Sequence, residues 1–191
     1  MRISEVKRET LEVSIKVKLN IDGNGFYKIE TGNKFLNHVL STIAKHSLFD
    51  LEIFATGDLK HHVAEDVALT LGEALLKALG DKQGIKRFGS NYVVMDDSLA
   101  RAVVDLGGRP HSQINIPLKG SEVEDLCIED IFHFFESMAQ ASKSNIHLDV
   151  LYGTNDHHKV EAVSKALALT LREACSIDPR INSIPSAKGV I

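Results

Sequence analysis

Cysteine is nearly missing from this chain: Cys127 and Cys175 are the only two among 191 residues, and no CxxC spacing occurs. That excludes a disulfide scaffold and a thiolate zinc site, and makes a reducing cytoplasm the expected setting. Proline is scarce too, with four residues, and no Ser/Pro/Gly-rich linker interrupts the chain. No stretch of about twenty apolar residues is present, so no membrane-spanning helix is expected. The first twenty residues alternate charged and apolar side chains, unlike the basic start and apolar run of a signal peptide. Positive charge is in deficit, with a net charge of −4 and a pI near 6.1. A mildly acidic surface without a basic–aromatic stripe gives no hold on nucleic acid or on an anionic membrane.

What is present fits one compact unit or two small, intimately packed ones: 43% of residues are hydrophobic and 25% charged. Over 11–21 apolar and polar residues alternate without error, which predicts a strand with one buried face. A turn at 22–25 and a returning strand over 26–31 would complete a hairpin. Asn33 suits the cap of a helix over 35–47. A strand over 51–56 follows, then a helix over 62–79 ended by Gly80. The second half reads as strands over 91–96, 99–106 and 112–118, a helix over 123–142, a strand over 146–152 and a helix over 157–174. The tail from Asp178 carries Pro179 and Pro185 and is expected to be irregular.

Histidine is the residue in excess. Nine are present, and four form the adjacent pairs His61–His62 and His157–His158. Each pair opens an Ala/Leu-rich helix as His-His-x-x-Glu, ending in Glu65 and Glu161. Each is preceded by a lone histidine on the previous helix, with 23 residues from His38 to His61 and 24 from His133 to His157. Matched positions of this kind indicate an internal repeat, with halves 1–90 and 91–191.

The repeated pattern is metal chemistry. On a helix a histidine four residues before a glutamate shares its face. Adjacent histidines instead point about 100° apart, so one ion rarely takes both. Six histidines (His38, His61, His62, His133, His157 and His158) and two glutamates (Glu65 and Glu161) therefore suit a pair of ions. Imidazole and carboxylate ligation fits Mn2+, Fe2+, Co2+ or Zn2+. His111 and His147, unmatched between the halves, read as ordinary surface histidines. Lys165 lies one helical turn beyond Glu161. Lys86-Arg87, Gly107-Gly108-Arg109 and Ser186-Ala187-Lys188 set cations beside small or turn-forming residues, as phosphate binding requires.

Beyond these local signals, FLNHVLSTIAKHSLFDLEI, GDLKHHVAED, GDKQGIKRFGS, MDDSLAR, DLGGRP, LYGTNDHHKVEAVSKALALTLREA and IPSAKGV occur in order along nearly the whole chain. Together they resemble imidazoleglycerol-phosphate dehydratase. The resemblance implies an α+β fold of two ribosomal-S5-domain-2-like halves, with helices packed between two four-stranded mixed sheets. It implies a symmetric homo-oligomer of 24 subunits with active sites at subunit contacts, two Mn2+ per active site and no organic cofactor. Metal ligands would be the eight residues of the repeat. Substrate contacts would be Glu12, His46, Arg87, Asp96, Arg109, Lys165, Ser186 and Lys188, with Glu12, His46 and Asp96 as the catalytic set. The implied reaction dehydrates D-erythro-imidazole-glycerol phosphate to imidazole-acetol phosphate in L-histidine biosynthesis, through an imidazolate and a diazafulvene-like intermediate. The chain departs from the family pattern where Lys60 alone separates GDL from the first pair, and at Asn37, Val67 and Ala187. A dinuclear phosphohydrolase and a non-catalytic metal-binding protein are the alternatives that the local motifs also accommodate.

Overall fold

The computed structural model describes all residues from Met1 to Ile191. In chain order the elements are β1 (Ile3–Glu9), β2 (Val13–Asn20), β3 (Tyr27–Glu30), α1 (Lys34–Ser47), β4 (Asp50–Gly57) and α2 (Lys60–Leu79). They continue as β5 (Phe88–Met95), β6 (Ser98–Asp105), β7 (His111–Asn115), β8 (Glu122–Val123), β9 (Leu126–Cys127), α3 (Ile128–Ala141), β10 (Asn145–Tyr152) and α4 (Asp156–Cys175). Residues past Asp178 form no helix or strand.

Two four-stranded mixed sheets carry the orders β1-β2-β4-β3 and β5-β6-β10-β7. In each, two strands pair antiparallel as a hairpin, the strand between the two helices joins the hairpin antiparallel, and the remaining strand lies parallel at the edge. The central strands turn one face inward. In β2 these are Val13, Ile15, Val17 and Leu19; in β6 they include Ala100, Ala102 and Val104. The helices fill the space between: α2 packs on β1 and β2, and α4 on β5 and β6. The buried apolar residues of both sheets and all four helices form one continuous cluster.

Two expectations fail. The hairpin of 11–21 with 26–31 does not form, because β4 lies between β2 and β3. The hairpin partner of β2 is β1, whose buried positions are Ser4 and Val6 alone, with a single apolar residue to reveal its period. Leu11 sits exposed in the turn between them. The helix expected over 123–142 begins only at Ile128, because 122–127 form the small hairpin β8–β9. Glu124 there takes a left-handed φ of 55°. The neighbouring Asp125 carboxylate accepts the Lys34 and Phe35 N–H groups at 3.0 and 2.9 Å, while its carbonyl accepts from Asn33 at 2.8 Å. A tertiary cap on α1 has overridden the local helical pattern.

The consequence for the site is the way helices of different halves lie together. α1 packs along α4 and α2 along α3. At Gly72 the approach of α2 to α3 leaves no room for a side chain: a Cβ would meet the Met138 carbonyl at 2.7 Å and the Ala141 methyl at 2.8 Å.

Candidate metal centre

The crossed packing brings six of the candidate ligands into two groups, each drawn from two helices distant in sequence. His38 on α1 meets His157 and Glu161 on α4, and His133 on α3 meets His61 and Glu65 on α2; within each group the donor atoms lie within 4.8 Å of one another. In the first group His38 Nε2 and His157 Nε2 both stand 3.3 Å from Glu161 Oε2. In the second, His61 Nε2 stands 3.9 Å from Glu65 Oε2. Each lone histidine thus joins the His-His-x-x-Glu of the other half, not its own.

The ring nitrogens on the far side are held by carboxylates. Nδ1–H of His61 donates to Asp130 at 2.6 Å, of His62 to Asp58 at 2.7 Å, of His157 to Glu124 at 3.1 Å and of His158 to Asp97 at 2.6 Å. A carboxylate on Nδ1 fixes the tautomer with the Nε2 lone pair free, the arrangement that metal-binding histidines use. In the second group His133 Nδ1 is buried and bonds nothing in the protein. A histidine with a buried unpartnered nitrogen, standing beside His61 and Glu65, fits a metal ligand, since a buried polar atom otherwise keeps a partner.

His62 and His158 stand outside both groups, as the 100° step between neighbours on a helix requires. Each faces a candidate acid/base carboxylate instead. His62 Nδ1 lies 3.9 Å from Glu12 Oε2, and His158 Nε2 lies 3.7 Å from Asp96 Oδ2. Glu12 occupies the β1–β2 turn and Asp96 the β5–β6 turn, the latter in a left-handed conformation with φ 46°.

Electrostatics separate the two ends of the first group. Burial pushes the Glu161 carboxyl up, but Lys165 and His38 outweigh it and hold the group at about 2. Lys165 Nζ donates to Glu161 Oε1 at 2.8 Å and touches Met95 Sδ at 3.2 Å. Burial lowers the proton affinity of His46, with the Lys165 charge adding to the effect. His62 shifts the other way, raised chiefly by its bond to Asp58. Asp97 is held far below the usual carboxylate range by the Thr154 hydroxyl, by His158 and by the N–H groups of Thr154 and Asn155. Asp97 thereby joins the β5–β6 turn to the first turn of α4.

The remaining candidate substrate residues lie elsewhere. Arg87 adopts a left-handed φ of 71°, and its N–H donates to the Ala174 carbonyl at 2.9 Å at the far end of α4. Its guanidinium forks onto Asp105 at 2.6 and 3.1 Å and reaches the Pro185 carbonyl at 2.9 Å. Ser186 Oγ accepts the Lys188 N–H at 3.3 Å. Arg109 is exposed beyond β6. From Glu161 to Ala174 the helix rises roughly 20 Å, so one chain holds its first group and its Arg87 end well apart.

The sequence missed Asp58, Asp97, Glu124 and Asp130. Nothing periodic marks them, since Asp130 is 69 residues from the histidine it serves and Asp97 is 61. Only Asp58, four residues before His62, carried a local signal.

Comparison with known proteins agrees with this geometry. A family model described as imidazoleglycerol-phosphate dehydratase matches residues 31–171. A protein of that name from Caldanaerobacter subterraneus subsp. tengcongensis is 48% identical over the full length of both chains. One from Methanothermobacter thermautotrophicus is 49% identical, covering 99% of this chain and 97% of its own. The Staphylococcus aureus enzyme structure superposes with a TM-score of 0.85 at 34% identity, covering 92% of this chain and 99% of that one. The Pyrococcus furiosus structure gives 0.86 at 33% identity, covering 97% and 100%. This chain belongs to the imidazoleglycerol-phosphate dehydratase family.

Proposed function

We propose that the chain removes water from D-erythro-imidazole-glycerol phosphate to give imidazole-acetol phosphate, a step of L-histidine biosynthesis. The observation that carries the reading is the pair of His/His/Glu groups with carboxylate-backed rings. Donors of this kind suit divalent transition ions, two per active site, with Mn2+ the first choice. When bound, such ions would supply Lewis acidity to the substrate imidazole.

The chain's own groups would do the rest. Glu12 and Asp96, each on a turn beside an outward-facing histidine, are placed to take and return protons at the glycerol carbons. His46 and Lys165 line the first group near Glu161. Arg87, Arg109, Lys165, Ser186 and Lys188 would hold the phosphate, converting binding energy remote from the reacting carbon into orientation.

That assignment requires more than one copy of the chain. A glycerol phosphate is far shorter than the rise along α4 from Glu161 to the Arg87 end, which supports one substrate drawing the two from different subunits. We take the assembly to be a homo-oligomer of 24 subunits, as the resemblance implies, in which His62 and His158 would complete metal sites of neighbouring copies. We further read residues 1–90 and 91–191 as the repeated halves, supported by the matching strand orders. No helix is long and apolar enough to cross a membrane, in keeping with a cytoplasmic enzyme.

The test is turnover of the Mn2+-loaded protein with imidazole-glycerol phosphate, beside a His61→Ala/His157→Ala double variant. An enolisable ketone with phosphate retained, lost in the variant, is the expected product. Release of inorganic phosphate would favour a dinuclear hydrolase, and no reaction a binding protein.

A further inference from the structure

Asp105, at the end of β6, has no part in the reaction outlined above, yet the far end of the site is tied to it. Its Oδ1 accepts Arg87 Nε at 2.6 Å and its Oδ2 accepts Arg87 Nη2 at 3.1 Å. Arg87 Nη1 then donates to the Pro185 carbonyl at 2.9 Å. A guanidinium has five N–H donors in a rigid fork; three are engaged here, and two are left for an anion.

Two further observations show that the surroundings are built around this pair. At Gly107 a Cβ would lie 2.7 Å from Asp105 Oδ2 and 3.0 Å from Arg87 Nη2, so a side chain there would push the ends of the ion pair aside. The tail is anchored by Gln83 and Gly84 as far as Ser183. Beyond Ser183, the one hydrogen bond from the body of the chain to the tail comes from Arg87; the others run within the tail.

We propose that Asp105 is a positioning residue for phosphate binding: it sets the plane of the Arg87 guanidinium and, through it, the tail that carries Ser186 and Lys188. The inference rests on the assignment of phosphate to these residues. A single carboxylate would then govern three phosphate ligands while touching none of the phosphate itself.

The experiment uses the full-length Mn2+-loaded protein with Asp105→Asn, Asp105→Glu and Gly107→Ala. Steady-state kinetics, inhibition by inorganic phosphate and calorimetric binding of inorganic phosphate are measured for each. Asp105→Asn should raise KM and weaken phosphate binding together by about tenfold, the loss of one charge-assisted fork. It should leave kcat within about threefold and bound Mn2+ unchanged. Gly107→Ala, on a half-buried bend, should shift both constants the same way even if Asp105→Asn proves insoluble, and Asp105→Glu should recover part of the loss. Unaltered phosphate affinity, or a fall in kcat at constant KM, would overturn the inference. A wild-type protein without turnover would overturn the dehydratase reading instead, and the calorimetric comparison would still decide the role of Asp105.

Discussion

Asp130→Asn should weaken one of the two metal sites much more than Glu124→Gln weakens the other. Both carboxylates back a ligand histidine, but their settings differ. Asp130 is 5% exposed and bonds His61 Nδ1 at 2.6 Å. Glu124 bonds His157 at 3.1 Å with its side chain 60% exposed. Loss of a carboxylate behind a metal-bound histidine typically costs 10–100-fold in affinity, about 1.4–2.7 kcal/mol. Burial strengthens the charge-assisted bond and keeps water from replacing it, which places Asp130 near the upper limit. Water can substitute for Glu124, so about tenfold or less is expected there. The assay is Mn2+ competition against a chelating indicator with metal-free protein, resolving two classes of site, and circular dichroism checks that α3 persists. Asp130→Asn should move one class by about two orders of magnitude and leave the other in place. Equal effects of the two variants, or a larger effect of Glu124→Gln, would refute the view that these carboxylates act by holding the rings.

Three further outcomes follow from the same geometry. Gly72→Ala should cost about 1–3 kcal/mol by overpacking the α2–α3 contact, and should weaken the metal class containing His133; denaturation midpoints and the Mn2+ titration check it. Lys159→Met should destabilise the chain by about 3 kcal/mol, because the buried ammonium bonds Asp156 at 2.7 Å and the Pro117 carbonyl at 2.8 Å, and its loss leaves both without that donor; urea unfolding measures this. In the metal-free protein, Glu161 lies at about 2 instead of 4.5, so its stabilisation is complete above pH 4.5 and disappears as the pH falls towards 2. Thermal midpoints across that window should fall more steeply for wild type than for Glu161→Gln, and parallel curves would contradict the assignment.

Much of this was legible in the sequence because the relevant signals are local. Asn33 caps α1 by accepting the Leu36 N–H at 2.7 Å, as its position implied, and Gly80 ends α2. The two His-His-x-x-Glu motifs each open a helix, and the i,i+4 spacing puts His61 beside Glu65 and His157 beside Glu161. What could not be read was pairing at a distance. Neither the insertion of β4 between β2 and β3 nor the joining of His38 to the second motif leaves a trace in periodicity. The first is strand order within the sheet and the second the packing of α1 along α4. The carboxylates behind the rings were hidden for the same reason, and Asp125 misled because its cap acts on a helix 90 residues away.

The most direct test is a crystal of the Mn2+-loaded protein measured at the manganese edge. Two anomalous peaks per chain are expected, one against His38, His157 and Glu161 and the other against His61, Glu65 and His133. A single peak, or peaks that join each lone histidine to the motif of its own half, would contradict the exchange of ligands between halves on which the account depends.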